Sequence, residues 1–422
     1  MEPVGWHLLP DSSALDGDML TIGGIRCDDL VSEFGSPLFV YDEQQLQDRC
    51  REAVAAFGPS VAFASKSFLC RAMAKIALEA GMKIDVASGG ELAIASSAGY
   101  RGDRIVMHGN NKSSAELAQA LDASVGRIVI DSFDEMDRIE ALCSARHARV
   151  NVMVRVTPGV EVHTFDEVQT GQADSKFGFG WHSGDAQRAI ERVRASTVMD
   201  LVGVHMHIGS QVFSVDNFAA AVRVVAPLVS DLGLEEFCIG GGLGVAYVNS
   251  EEGPTLSQWA TSVKSVCEQA GVTAQITAEP GRSIVAQAAI TLYTVGTIKH
   301  LDGIRTYMSV DGGMSDNPRP VLYGSGYEAC LVRRVAAERS RPVRLVGKHC
   351  ESGDVLVKDA WLPDDVVLGD LVATPVTGAY GYSLASNYNK LCRPAVVFVR
   401  DGSARVVVRR ETVDDLLACD VG

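Results

Sequence analysis

The chain has no surplus of positive charge. Its 422 residues include 38 lysines and arginines against 53 aspartates and glutamates, which gives a net charge of -15. Nucleic acids and anionic membrane surfaces are bound through basic protein surfaces. The composition therefore argues against both as partners, and an anionic ligand would need a local cationic site.

Long hydrophobic runs and metal-type cysteine spacings are also missing. No stretch approaches the roughly 18 apolar residues of a transmembrane helix, and Asp11, Asp16 and Asp18 stand where a signal peptide would be basic and apolar. Ten cysteines are present, but none forms a CxxC pair or a zinc-ligand spacing, so we expect free thiols. We therefore predict a cytoplasmic protein without a metal site.

The length predicts more than one domain, because 422 residues exceed the usual size of a single domain. Apolar residues make up 47% and charged residues 22%, which is typical of a globular enzyme with a buried core. We predict that residues 41–285 form a large domain. Residues 286–422 should form a smaller domain, which the N-terminal segment 1–40 joins.

A short apolar run followed by a segment with helical spacing recurs from residue 61 onward, which indicates βα repeats. Eight strands are predicted, over residues 61–66, 83–88, 104–109, 127–131, 150–156, 201–210, 236–242 and 274–281. Helices are predicted over residues 71–81, 91–99, 114–123, 216–233 and 256–271. Eight parallel strands with crossover helices favour a closed (β/α)8 TIM barrel over an open sheet.

After about residue 285 the pattern changes to β-branched and aromatic runs without clear helices, which predicts a β-barrel or β-sandwich domain. Asp401–Gly402 is typical of a hairpin turn. The β-like runs among the first 40 residues suit the same domain. The glycine-rich segment 157–180 is expected to be a functional loop above the barrel.

The predicted carboxyl ends of the barrel strands, where active sites of such barrels lie, carry reactive groups. Lys66 could form an imine with an aldehyde cofactor, although a surface lysine is the simpler interpretation. Gly240, Gly241 and Gly242 could let backbone amides approach a phosphate, or could form only a tight turn. Arg282 adds a cation at the next strand end, so the two places together indicate an anion site.

Acidic and imidazole side chains occupy further strand ends. Glu279 could keep the ring nitrogen of a cofactor protonated, or could form a salt bridge with an arginine. His205 and His207 have a spacing that can bind a metal, but a core histidine is an alternative, and we favour ring stacking for His207. Ser210 is a small donor suited to phosphate, and Asp85 should lie beside the neighbouring strand end.

Motifs at these positions resemble those of the fold-type III pyridoxal 5'-phosphate (PLP) decarboxylases, and within them the diaminopimelate decarboxylase family. The resemblance runs nearly end to end, through FASKSF, HMHIGSQ, GGGLG, EPGRS, CESGD and GAYGYSLASNYN. It implies an alanine-racemase-type barrel with a β domain, PLP as cofactor, and a homodimer with shared active sites. The reaction implied is the decarboxylation of meso-diaminopimelate to L-lysine in lysine biosynthesis.

The resemblance also implies roles for single residues. It makes Lys66 the lysine that binds the cofactor, His207 the stacking ring and Cys350 the catalytic proton donor. The expected cofactor contacts are Lys66, Asp85, His207, Ser210, Gly240, Gly241, Gly242, Glu279, Pro280, Gly281, Arg282 and Tyr380. The expected substrate contacts are Arg282, Arg319, Tyr323, Glu351 and Tyr380, which include the carboxylate and guanidinium that a distal ammonium and carboxylate require.

The sequence departs from the family pattern at Glu167, Val168 and Gly326. These departures leave a related amino acid as an alternative substrate, of the D-ornithine or D-lysine type or from secondary metabolism.

Three other functions remain as alternatives. An amino-acid racemase of the same fold is disfavoured by Glu279, because the racemases resemble one another in having an arginine at the ring nitrogen. A cofactor-free regulatory homologue is disfavoured by the presence of Lys66, Glu279 and Cys350. A metal hydrolase would use His205 and His207.

Overall fold

The computed structural model describes residues 1–159 and 174–422, and the chain divides into two compact units. The barrel unit comprises Arg49–Gly244 and Gly253–Ser283, and the sheet unit comprises Met1–Asp48, Val245–Glu252 and Ile284–Gly422. Within the described ranges, no helix is long and apolar enough to span a bilayer. The domain boundaries predicted at residues 40 and 285 stay a prediction.

The sheet unit begins with small elements. An antiparallel sheet of three strands is formed by β1 (Ala14–Asp16), β2 (Met19–Ile22) and β3 (Ile25–Arg26). Helix α1 (Cys27–Phe34) follows, and β4 (Leu38–Asp42) then enters a larger sheet. All five residues of β4 are buried, and the first four, LFVY, are an unbroken apolar run.

The sheet of the barrel unit is parallel throughout its described part. Its strands are β5 (Ala62–Ala64), β6 (Lys83–Val86), β7 (Ile105–Met107), β8 (Arg127–Ile130), β9 (Val150–Thr157), β10 (Phe179–Gly180), β11 (Met199–Met206), β12 (Glu236–Cys238) and β13 (Gln275–Thr277). Strand β10 pairs only with β9, and the other eight follow one another in chain order from β5 to β13. The first and last strands meet, because the amide of Ala62 donates to the Ala278 carbonyl at 3.0 Å. The predicted (β/α)8 barrel is confirmed.

All eight predicted barrel strands are present, but several end earlier than the sequence indicates. The strand predicted over 201–210 ends at Met206, and the strand predicted over 236–242 ends at Cys238. Gly209, Gly240 and Gly242 have positive φ angles, which take the backbone out of the strand conformation. The chemically important residues predicted at these strand ends therefore lie in loops at the carboxyl edge of the barrel.

Helices alternate with the barrel strands. They are α2 (Glu43–Phe57), α3 (Arg71–Glu79), α4 (Gly89–Ser97), α5 (Ser114–Asp122), α6 (Phe133–Arg146), α7 (Asp185–Ala195), α8 (Val215–Leu232), α9 (Leu256–Gln269) and α10 (Arg282–Val285). The sequence prediction lacks α2, α6, α7 and α10. Helix α7 buries only Ala186, Ala189, Ile190 and Val193, and its remaining positions are largely charged, so its apolar stripe is hard to see in the sequence.

The sheet unit continues with β14 (Ala289–Leu301), β15 (Arg305–Val310), α11 (Arg319–Tyr323), β16 (Cys330–Leu331), β17 (Arg341–Val346), β18 (Val355–Leu362), β19 (Leu371–Pro375), β20 (Ala395–Arg400), β21 (Ser403–Val408) and α12 (Val413–Leu417). The sheet order is β18-β17-β15-β14-β4-β20-β21, and β19 pairs with β14 and β16. Strand β4 thus lies between β14 and β20, which confirms the expected sheet domain with an N-terminal strand. The two five-residue helices escape prediction because they are too short to show a period.

Candidate active site

Three predicted site residues lie on neighbouring parts of the barrel, after β5, on β6 and after β13. Lys66 belongs to a 3₁₀ turn, Ser65–Ser67, directly after β5, and its side chain is exposed between two buried serines. Asp85 on β6 and Glu279 after β13 are both buried. Burial, opposed by the charges of His108 and Lys66, raises the pKa of Asp85 to about 6. The structure therefore brings an amine and two carboxyl groups to one region.

The glycine run after β12 packs against the loops on both sides of it. A Cβ atom on Gly241 would lie 2.2 Å from the carbonyl oxygen of Glu279, so no larger residue fits there. The Gly241 amide donates to Nδ1 of His207 at 3.2 Å, and the Glu279 amide donates to the Gly240 carbonyl at 2.7 Å. The predicted glycine loop consequently contacts both the predicted stacking histidine and the backbone of Glu279.

The residues after Glu279 form the cationic side of this region. A guanidinium nitrogen of Arg282 donates to Oγ of Ser210 at 2.7 Å, which joins the loops after β13 and β11. The amide of Ala64 donates to the Pro280 carbonyl at 3.1 Å. A Cβ atom on Gly281 would lie 2.9 Å from the Ala64 carbonyl oxygen, so this loop too approaches β5 closely. A cation, a hydroxyl and tightly packed backbone therefore meet, as an anion site requires.

The Glu279 carboxylate is held by two imidazoles. Its Oε1 lies 2.8 Å from Nε2 of His108, and its Oε2 lies 2.9 Å from Nε2 of His205. Burial alone would raise the pKa of Glu279, but the two histidines together hold it well below the usual range. The carboxylate is therefore ionised at neutral pH although it is buried.

The structure separates the two histidines of the HxH motif. Among the described residues, the group with metal-ligand spacing is His108, His205 and Glu279, and it does not include His207. Within this group, Nε2 of each histidine lies 2.8 or 2.9 Å from an oxygen of Glu279, which is hydrogen-bond distance. Burial and the charge of Lys66 lower the pKa of His207 well below its usual value, which leaves a neutral ring. The pair expected for a metal hydrolase is thus not brought together.

In the sheet unit, Arg319 is fixed by two aromatic residues. It begins helix α11, is 4% exposed, and donates from a guanidinium nitrogen to the hydroxyl of Tyr327 at 2.6 Å. Its guanidinium carbon lies 4.2 Å from the centre of the Tyr247 ring, which is a cation–π contact. The two tyrosine rings meet edge to face with centres 5.1 Å apart. The contacts that the described residues give this cation are with neutral tyrosines.

The other predicted residues of the sheet unit lie on loops and at a helix end. Cys350 and Glu351 are exposed, and the Cys350 amide donates to Oδ1 of Asn389 at 3.2 Å. Tyr323 is half-buried at the end of α11. Tyr380 is half-buried and has a φ of 61°, a conformation uncommon for a tyrosine and frequent at functional sites.

The loop predicted over residues 157–180 is described only at its two ends. Glu167 and Val168, two of the departures from the family pattern, lie outside the described residues. At the ends, the Gly178 amide donates to Oδ1 of Asp131 at 2.9 Å, and the Thr157 hydroxyl donates to the Phe177 carbonyl at 2.6 Å.

Comparison with known proteins identifies the family. The family described as "Pyridoxal-dependent decarboxylase, pyridoxal binding domain" matches residues 43–286. The chain belongs to this family. The decarboxylase is 47% identical to a diaminopimelate decarboxylase of Mycobacterium bovis over 96% of this chain and 95% of the relative. It is 43% identical to that of Bacillus subtilis over 95% of both chains. The solved diaminopimelate decarboxylase of M. jannaschii with L-lysine has a TM-score of 0.91, 31% identity and 98% coverage of both chains.

The barrel residues of this decarboxylase fit the cofactor of its family, PLP. The cofactor presents an aldehyde, a ring nitrogen, a planar ring and a phosphate. The site offers, in the same order, the amine of Lys66, the ionised carboxylate of Glu279, the neutral imidazole of His207 and the guanidinium of Arg282. Each part of the cofactor therefore has a chemically matched group at the carboxyl edge of the barrel.

Sequence reasoning does not predict several contacts that the structure places around the predicted site residues of the decarboxylase. His108 lies near the end of the strand predicted over residues 104–109, but its contact with Glu279 depends on how the barrel closes. His205 is expected as a metal ligand or a core residue and instead binds Glu279. Nothing in the sequence indicates that Tyr247 and Tyr327 contact Arg319, because Tyr247 is distant in the chain from both other residues.

Proposed function

We propose that this decarboxylase converts meso-diaminopimelate to L-lysine and carbon dioxide. Near full-length relatives named diaminopimelate decarboxylase support the proposal. The observation that carries it is Arg319, a buried guanidinium with neutral neighbours among the described residues. A buried cation without an anion is costly, so the site calls for a ligand with a carboxylate there. Diaminopimelate has such a distal carboxylate, and lysine does not.

In this proposal Lys66 would hold the cofactor through Nζ, the His207 ring would stack on the cofactor ring, and the Glu279 carboxylate would pair with the ring nitrogen. When bound, PLP supplies an electron-withdrawing ring that accepts the electron pair left as carbon dioxide departs. The ionised Glu279 stabilises the proton on the ring nitrogen. The remaining cofactor contacts proposed are Asp85, Ser210, Gly240, Gly241, Gly242, Pro280, Gly281, Arg282 and Tyr380.

Cys350 is proposed to move the proton that completes the reaction. Its Sγ–H bond breaks as a C–H bond forms at the carbon that has lost the carboxylate. Glu351 pairs with the distal ammonium of the substrate and Arg319 with the distal carboxylate. Tyr323, Tyr380 and Arg282 complete the proposed substrate contacts.

We also propose a cytoplasmic homodimer with shared active sites, in which Cys350 of one copy serves the cofactor bound to the other. All ten cysteines fall within the described residues and are free thiols, which supports a reducing compartment. The exposure of Cys350 in the single chain supports a role at a surface that a second copy covers.

The test is a substrate panel with purified holoenzyme. Carbon dioxide release is measured with meso-diaminopimelate, D-lysine, D-ornithine, D-arginine and the L-forms of the last three. We expect meso-diaminopimelate to be turned over about a thousandfold more efficiently than any substrate without a distal carboxylate. Equal turnover of lysine or ornithine would contradict the proposal. The Lys66→Ala variant controls for a contaminating decarboxylase.

A further inference from the structure

Two imidazoles from different parts of the barrel converge on one carboxylate. His108 follows β7, His205 lies on β11, and Glu279 follows β13. Each imidazole uses Nε2 and each meets a different oxygen of Glu279, at 2.8 and 2.9 Å. The two rings are edge to face with centres 5.0 Å apart, and all three residues are buried. Both oxygens of the carboxylate are therefore oriented by groups that belong to the barrel itself.

The surroundings of His205 favour a neutral ring. Its Nδ1 is buried and has no hydrogen-bond partner within the described residues. A proton on this atom would create a buried N–H group without an acceptor, which is costly. Burial also lowers the pKa of His205, in spite of the nearby carboxylate of Glu279. His205 is consequently a neutral donor to Glu279.

The surroundings of His108 favour a charged ring. Its Nε2 lies 4.0 Å from Oδ1 of Asp85, in addition to its bond with Glu279, so two buried carboxyl groups face it. Burial lowers the pKa of His108, but the charges of Asp85 and Glu279 outweigh this effect and raise it. The two donors to Glu279 thus differ in charge although they are the same residue type.

Other charged and titratable groups face this cluster, and they do not reverse the difference. They are Lys66 after β5, Glu91 on α4, Arg155 on β9, His207 after β11 and Cys238 on β12. Arg155 opposes a charge on His108, but its own guanidinium lies 3.8 Å from Asp131, whose carboxylate offsets it. The thiol of Cys238 is buried, and its pKa is raised well above the usual value, so it is uncharged.

We propose that His108 is a positioning residue that carries a positive charge, supported by Asp85, and thereby keeps Glu279 ionised against the ring nitrogen of the cofactor. The inference rests on the proposed function, in which Glu279 contacts that nitrogen. His205 orients the same carboxylate as a neutral donor. Without the charge of His108, the buried carboxylate would bind a proton more readily and would lose its attraction for a protonated ring.

The test compares PLP with an analogue in which C–H replaces the ring nitrogen. Full-length protein is freed of cofactor, and the dissociation constants of both ligands are measured for wild type, His108→Gln and His205→Gln. Glutamine places an amide N–H near the position of imidazole Nε2, so both variants can keep a neutral donor to Glu279. They differ in whether a charge is lost. The link to Lys66 and the phosphate contacts are common to both ligands and cancel in the ratio of the two constants.

We expect wild type to bind PLP at least tenfold more tightly than the analogue, the order of effect of about one hydrogen bond to a charged group. His108→Gln should lower this ratio by about tenfold, toward one, whereas His205→Gln should change it by less than about twofold. The inference is overturned if His108→Gln keeps the wild-type ratio of the two dissociation constants. An equal loss of affinity for PLP and for the analogue keeps this ratio and therefore also overturns it. It is also overturned if both variants lower the ratio equally. A wild-type ratio near one would instead contradict the proposed role of Glu279.

Discussion

Replacing Arg319 with alanine should remove most of the preference for a substrate with a distal carboxylate. The guanidinium is 4% exposed, and its contacts are a neutral hydroxyl at 2.6 Å on Tyr327 and the ring of Tyr247 at 4.2 Å. With lysine as substrate this buried cation stays unpaired, which costs about 3–5 kcal/mol and corresponds to roughly a thousandfold in kcat/KM. Alanine removes the cation, and the cost disappears with it.

The assay is carbon dioxide release, with kcat/KM determined for meso-diaminopimelate and D-lysine, which has the same reacting centre but no distal carboxylate. We expect the ratio to fall from about a thousandfold in wild type to within about tenfold in Arg319→Ala. Arg333→Ala is the matched control, because Arg333 belongs to the same unit but is partly exposed and paired with Asp365 and Asp370. If Arg319→Ala keeps the wild-type ratio, another group binds the distal carboxylate and the reasoning from the buried cation is wrong.

Four further predictions follow from single residues. Lys66→Ala should lose nearly all turnover and the visible absorbance of bound cofactor after gel filtration, and retention of both would contradict its assignment. Mixing inactive Lys66→Ala with Cys350→Ala should restore partial activity through hybrid dimers, and a mixture that stays inactive argues against shared sites. Lys112 is 2% exposed, and its Nζ lies 2.6 Å from the Glu135 carboxylate. Lys112→Met leaves this carboxylate buried and unpaired, so we expect the melting temperature to fall by about 10 °C and to recover partly when Glu135→Gln is added. A fall of less than about 2 °C would refute this prediction. Burial raises the pKa of the Asp316 carboxyl to about 7, so this carboxyl binds its proton more tightly in the folded protein than in the unfolded chain. Its contribution to the free energy of unfolding is therefore full below about pH 4 and is lost as the pH rises through 7. Melting curves between pH 4 and 8 should show this decline in wild type and a flatter course in Asp316→Asn, and an equal course in both would contradict it.

The sequence alone predicted the features that depend on local pattern. Alternating apolar runs and helical segments predicted eight barrel strands, and all eight are present because each βα unit buries its own strand against its own helix. The motifs near Lys66, Gly240 and Glu279 could be placed at strand ends, because an apolar strand pattern ends where glycine and polar residues begin. Their catalytic roles stay predictions, because a pattern of residue types does not report contacts.

Only the tertiary structure decided which side chains meet. The contacts of Glu279 with His108 and His205 depend on closure of the barrel, which brings β13 beside β5. The side chains after β7 and on β11 then lie within hydrogen-bond distance of the carboxylate in the loop after β13. The histidine spacing suggested His205 and His207 as partners, but the backbone leaves β11 between them, so the two rings have different neighbours. Arg319 contacts Tyr247 and Tyr327 because of how α11 packs, and this five-residue helix is too short to show a helical period in the sequence. Charge states in such places are set by burial and by neighbours from distant parts of the chain, and neither can be read from local sequence.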